Sequence, residues 1–256
     1  MLAIEETEGE GPAIVLLHGL TATRRYVVHG SNALARAGHR VIAYDARGHG
    51  GSDPAQPYDY PPLAADLLGV LDERGVERAV LAGASMGGHT ALRLALDHPE
   101  RVAGLAVITP AFDPEEERDF TRWDALARGL RERGVDGFVG AYGDPGVPEA
   151  MKETVIKVLR QRIGRHEHPE AVADALEQVP RSEPFEAISD LRAITAPTVV
   201  VVSRDEADPG HPYRVGEAYA AAIPGAELIA EDPGASPLAW QGGQLSRVIA
   251  ELAARV

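Results

Sequence analysis

The sequence predicts an α/β fold: a mostly parallel central sheet with helices on both faces and a helical insertion. Three observations carry that expectation. Short apolar runs alternate with helix-like stretches over residues 1–110, and alternation of this kind builds parallel sheets. The runs are apolar nearly throughout, as strands covered on both faces are. The strand texture then fades from about Pro110 to Ala196 and returns in Thr195–Ser203 (TAPTVVVVS). The expected division is therefore a core of residues 1–110 and 196–256 around a helical cap of residues 111–195.

In chain order, Leu2–Glu6 is a candidate edge strand. Ala13–Leu17 (AIVLL), Arg40–Tyr44 (RVIAY), Ala79–Gly83 (AVLAG) and Gly104–Thr109 (GLAVIT) read as buried strands. Tyr60–Arg74 and Met86–Asp97 place apolar residues at the spacing of one helix face. Within the insertion, charged helical stretches at Asp124–Arg133, Glu149–Ile163 and Glu170–Val179 are punctuated by prolines. After TVVVVS, Tyr213–Ile223 reads as a helix, Ala226–Ala230 as a strand and Gln241–Arg255 as a closing helix.

Composition narrows the function. The balance of 39 acidic against 25 basic residues, a net charge of −14, argues against nucleic acid or an anionic membrane as partner, since both favour a basic face. The absence of cysteine removes thiolate nucleophiles, disulfides and Cys-ligated metal centres. The start MLAIEETEGEG has neither the basic nor the apolar region of a secretory signal. No apolar run approaches the ~18 residues of a membrane span, so a cytoplasmic location is expected.

The sharpest motif is Gly83-Ala84-Ser85-Met86-Gly87-Gly88, which follows the run AVLAG and opens the helix HTALRLAL. In strand–turn–helix context, G-x-S-x-G holds a serine on a turn too tight for side chains at the flanking glycines and leaves its hydroxyl exposed. The helix start behind it favours a developing negative charge. Two further phrases stand at strand ends: Leu17-His18-Gly19-Leu20, and Asp45-Ala46-Arg47-Gly48-His49-Gly50-Gly51-Ser52.

Together these three phrases resemble the α/β-hydrolase family, in the branch of esterases, haloperoxidases and C–C-bond hydrolases. The resemblance covers about residues 10–110 and 196–256, and the helical segment is similar to that family's cap. It implies a serine-dependent hydrolase of carboxylic esters or related acyl compounds, working on a small molecule without cofactor or metal. It implies Ser85 as nucleophile and the backbone amides of Leu20 and Met86 as the donors that hold the oxyanion. His18, Arg47 and His49 would fix loops, and His89 would flank the site from the same helix as the serine.

The acid and the base are less direct. The family order is serine, acid, histidine. The loop Arg204-Asp205-Glu206-Ala207-Asp208-Pro209-Gly210-His211-Pro212 offers Asp205, Glu206 and Asp208. The family's D-P-x-x-P spacing, running on to Ile223-Pro224-Gly225-Ala226-Glu227-Leu228, favours Asp208. Where the family places its histidine, this chain reads Pro233-Gly234-Ala235-Ser236-Pro237, and no histidine follows His211. Three outcomes stay open: His211 serves as base with Asp208, Asp205 or Glu206 orienting it, His166 or His168 reaches in from the cap, or the chain hydrolyses poorly and does something else in its pocket. His166-Glu167-His168 lacks a shared helix face for a metal and reads as an exposed helix start. Arg160, Arg162 and Arg165 read mainly as a solvated face, each a lesser candidate for meeting an acidic substrate.

Overall fold

The computed structural model describes residues 1–147, 149–204, 208 and 210–256. Strands β1 (Ile4–Glu6), β2 (Gly11–Leu17) and β3 (His39–Tyr44) come first, with a single helical turn α1 (Ala33–Arg36) between β2 and β3. Helix α2 (Tyr60–Glu73) leads to β4 (Ala79–Ala84), α3 (Met86–Asp97) and β5 (Val102–Ile108). Then come α4 (Thr121–Tyr142), α5 (Glu149–Ile163) and α6 (Pro169–Gln178). The chain closes with β6 (Thr198–Val201), α7 (Tyr213–Ala222), β7 (Glu227–Ile229) and α8 (Gly242–Ala253).

The strands form one 7-stranded sheet in the order β1-β3-β2-β4-β5-β6-β7. Only β1 runs antiparallel, pairing Ile4 with Tyr44 at the edge; the other pairs are parallel. The all-apolar runs explain this arrangement. Val15 and Leu17 of β2 face a core shared with Leu67 of α2, Leu92 of α3 and Tyr219 of α7. Ile14 and Leu16, one residue out of phase, face a second core with Leu34 of α1 and Leu245 and Ile249 of α8. A strand with a hydrophobic core on both sides has no polar face to show.

Between β5 and β6 the described chain is helical and joins no strand to the sheet. Its own apolar cluster gathers Leu126, Leu130 and Phe138 of α4, Leu159 and Ile163 of α5, and Val172 and Leu176 of α6. A fourth cluster sits on the seam, where Tyr58, Tyr60, Leu63 and Met86 meet Ala171 and Ala175 of α6. Leu20 packs against both of these clusters. Helix α4 extends beyond the expected end at Arg133: non-helical backbone at Arg133 and Gly134 breaks it into two halves. No helix among the described residues is long and apolar enough to cross a membrane.

Candidate active site

Because β2, β4, β5 and β6 are parallel, the loops that leave their carboxyl ends open on one edge of the sheet, the usual place for a site in an open α/β fold. The loop after β2 carries His18 to Leu20, the turn after β4 carries Ser85, and the loop after β6 carries Asp208 and His211.

Ser85 sits at φ 48° and ψ −114° between β4 and α3, a conformation non-glycine residues rarely adopt. The glycines around it are obligatory. A Cβ at Gly83 would overlap the backbone of Gly87, and one at Gly87 would overlap the carbonyl of Leu17. The turn is anchored by the Ser85 amide donating to Ile108 O at 2.9 Å. Gly19 lies against it, its Cβ position 3.6 Å from Ser85 Cβ. Thr21, at φ 69°, strains the same loop. Among the described residues, the Leu20 and Met86 amides donate to no protein acceptor and the Ser85 hydroxyl makes no hydrogen bond.

Asp208 and His211 form a bonded pair. Asp208 Oδ1 lies 2.9 Å from His211 Nδ1, and the turn between them closes with the His211 amide donating to Asp208 O at 3.0 Å. Asp208 is the more enclosed partner, at 14% side-chain exposure against 28% for His211. A carboxylate at Nδ1 selects the tautomer that leaves Nε2 with its lone pair, and Nε2 has no protein partner among the described residues. The pair lies within electrostatic reach of α3. Burial, and then the charge of His211, lower the pKa of His89, one turn beyond Ser85, to about 3. Asp205 and Glu206 lie outside the described residues.

His89 and His18 have both ring nitrogens engaged, whereas His49 bonds Arg47 O through Nδ1 and its buried Nε2 has no partner among the described residues. His89 Nε2 accepts from the Ala111 and Phe112 amides at 3.4 Å, so its Nδ1–H donates to Tyr60 Oη at 3.1 Å. His18 accepts the Ala46 amide at Nε2 (2.9 Å) and donates from Nδ1 to Gly19 O (2.8 Å). That pins the loop before Leu20 to the start of the Asp45–Ser52 loop. Asp45, fully buried, takes the Arg24 and Gly51 amides and the Arg24 guanidinium. Arg47 forks onto both Asp66 oxygens at 2.7 Å.

His166 differs from its sequence reading. It is buried rather than exposed, accepting the Gly50 amide at 2.8 Å through Nδ1 and donating from Nε2 to Thr21 O at 3.0 Å. Beside it the Glu167 amide donates to Gly50 O at 2.9 Å. Both ring nitrogens are spent joining the helical segment to the sheet's loops, so His166 has none left to serve as a base. His168 lines a separate cleft of about 420 Å³ with Pro54, Gln56 and Asp174, and that cleft does not include Ser85. No group of three or more His, Asp or Glu among the described residues could hold a metal.

Where the family's histidine would stand, Ser236 is exposed in the loop after β7. That loop is tied to the acid loop by Glu231, which accepts the Arg204 amide at 2.7 Å and the Leu238 amide at 3.0 Å.

The family model described as alpha/beta hydrolase fold matches residues 12–141. A protein of Variovorax paradoxus described as a carbamate hydrolase, RutD, is 32% identical over 201 residues, 77% of this chain and 75% of that one. Epoxide hydrolase A of Mycobacterium tuberculosis is 32% identical over 167 residues, 63% of this chain and 50% of that one. Among solved structures, a thermophilic esterase from Thermogutta terrifontis superposes with a TM-score of 0.82 at 28% identity, over 99% of this chain and 93% of that one. The enol-lactonase of Burkholderia xenovorans LB400 gives 0.78 at 25% identity, over 99% and 96%.

Proposed function

The chain belongs to the alpha/beta hydrolase fold family and its relatives are hydrolases; from that premise we propose that it is a serine-dependent hydrolase of carboxylic esters or related acyl compounds. The observation that carries the reading is Ser85, strained at φ 48° on the edge that also bears a bonded Asp208–His211 pair.

In this mechanism His211 Nε2 takes the hydroxyl proton as Ser85 Oγ attacks the acyl carbon, and Asp208 stabilises the imidazolium. The Leu20 and Met86 amides receive the oxyanion; one such donor typically contributes 10²–10³-fold in rate. Collapse breaks the acyl–oxygen bond, the alcohol leaves with the proton from His211, and water repeats the sequence on the acyl-enzyme. The helical segment between β5 and β6 acts as a cap, tied down at His166 and packed on Leu20.

One observation favours a second reading. No histidine follows His211, so the position at which the family carries its base is without one, and a fold that loses its base can persist as a ligand-binding protein. Fluorophosphonate labelling with peptide mapping separates the two. Stoichiometric labelling of Ser85, with nitrophenyl butyrate hydrolysis that disappears in Ser85→Ala, supports the enzyme. An unlabelled Ser85 and no turnover would leave the binding protein standing.

A further inference from the structure

Arginine is kept almost always charged, and a guanidinium withdrawn from water ordinarily has an anion or several acceptors around it. Among the described residues the arginines follow that rule except at one place. Arg36, Arg122, Arg128, Arg133, Arg165, Arg192 and Arg247 have no ion pair or hydrogen bond among the described residues, and every one of them is exposed. Arg162, near the end of α5, also has neither, yet it is only partly exposed, and its Nε is buried with no partner. Its neighbour Arg160 reaches out to Asp136; Arg162 does not.

Arg162 lies between Leu159 and Ile163 of α5, and those residues share one apolar cluster with Tyr142 and Leu20. Burial lowers its pKa, and the fields that oppose this come from Tyr142, Tyr26 and Asp208. Tyr26 and Tyr142 are both half-buried, and neither hydroxyl makes a hydrogen bond among the described residues. A buried guanidinium nitrogen without an acceptor among the described residues therefore lies on the helix that packs with Leu20, the residue after Gly19 in the loop beside Ser85.

The geometry points to Arg162 as the residue that recognises a carboxylate carried by the substrate, so that the preferred ester is the half-ester of a dicarboxylic acid or another acyl compound bearing one free carboxylate; this rests on the hydrolase reading of the same site. The planar guanidinium fork matches a carboxylate. Asp208, whose field also reaches Arg162, disfavours a dianion such as phosphate.

The test uses binding, so that it does not depend on turnover. In the Ser85→Ala protein, calorimetry with monomethyl glutarate and with neutral dimethyl glutarate should show the anionic half-ester binding roughly 10–100-fold tighter, the range of a buried charge-assisted hydrogen bond. Adding Arg162→Met should abolish that preference, and Arg162→Lys should restore part of it. Arg162→Met should also keep or raise Tm, because it removes a partly buried charge that has no ion pair or hydrogen bond among the described residues. Equal binding of the two esters, no measurable binding of the half-ester, a preference that survives Arg162→Met, or a fall of several degrees in Tm would each overturn the assignment. Failure of the wild type to cleave either ester would count against the hydrolase reading and would leave the binding comparison intact.

Discussion

At the scale of single residues the chain shows how unequal motifs are in what they disclose. G-x-S-x-G is legible because its demands are local: the backbone at Gly83 and Gly87 excludes a methyl group, and the strain falls on the residue between them. Ser85→Ala should remove ester turnover while leaving Tm within a degree or two; a variant that keeps the wild-type rate would place the activity elsewhere. His211 was legible as a candidate because Asp208 lies three residues earlier, but which ring nitrogen meets that carboxylate is not a matter of sequence. His211→Ala should lower kcat roughly 10²–10⁴-fold with KM little changed, the usual effect of losing a general base. Ser236→His supplies the imidazole at the family's position, and it should give no large gain if His211 already serves. A large gain, with His211→Ala silent, would show that the wild type lacks an effective base. His166 was misread for a physical reason: its ring partners, Thr21 and Gly50, are 145 and 116 residues away, and no local pattern announces a bond of that range.

At the scale of elements, the sheet was readable and part of the helical segment was not. Apolar runs such as Val80–Ala82 and Leu105–Ile108 are buried on both faces, so each strand identified itself without help from its neighbours. Helix α4 was expected to stop at Arg133, and Gly134 at φ 58° does break it. The sequence did not reveal that the chain resumes its helix at once and folds back. A Cβ at Gly137 would overlap Gly129 O, and a Cβ at Gly129 would overlap Gly137 O, so the two halves of α4 touch through bare backbone. That contact brings Phe138, 1% exposed, into the cluster beside Leu20. Gly137→Val should force the halves apart at about 1–3 kcal/mol, the ordinary range for overpacking. The check is a urea midpoint, and a change below ~0.5 kcal/mol would mean that the halves are not held in contact in solution.

At the scale of the whole molecule, the buried histidines couple stability to pH. Burial above all keeps each of them neutral: the pKa of His166 falls to about 4 and that of His89 to about 3, with His49 well below 6.5 and His18 below it as well. The unfolded chain binds protons at these side chains from about pH 6.5 downward, whereas folded His166 does so only near pH 4 and His89 near pH 3. Between those limits the unfolded state holds more protons. Stability is therefore fully present above pH 6.5 and declines as the pH falls, by ~1.4 kcal/mol per pH unit for each histidine involved. Working between pH 7 and pH 5 separates this effect from the carboxylates, whose pairings are lost at lower pH. Urea unfolding across that interval at fixed ionic strength should show a monotonic loss of stability that steepens below pH 6.5, and a flat profile would refute the account. His166→Gln keeps a donor and an acceptor for Thr21 O and the Gly50 amide but cannot titrate. It should lower stability at pH 7 and flatten the slope by about one proton. An unchanged slope would mean that His166 is protonated or solvated in the folded protein, and that the join between the helical segment and the sheet's loops does not depend on a neutral ring.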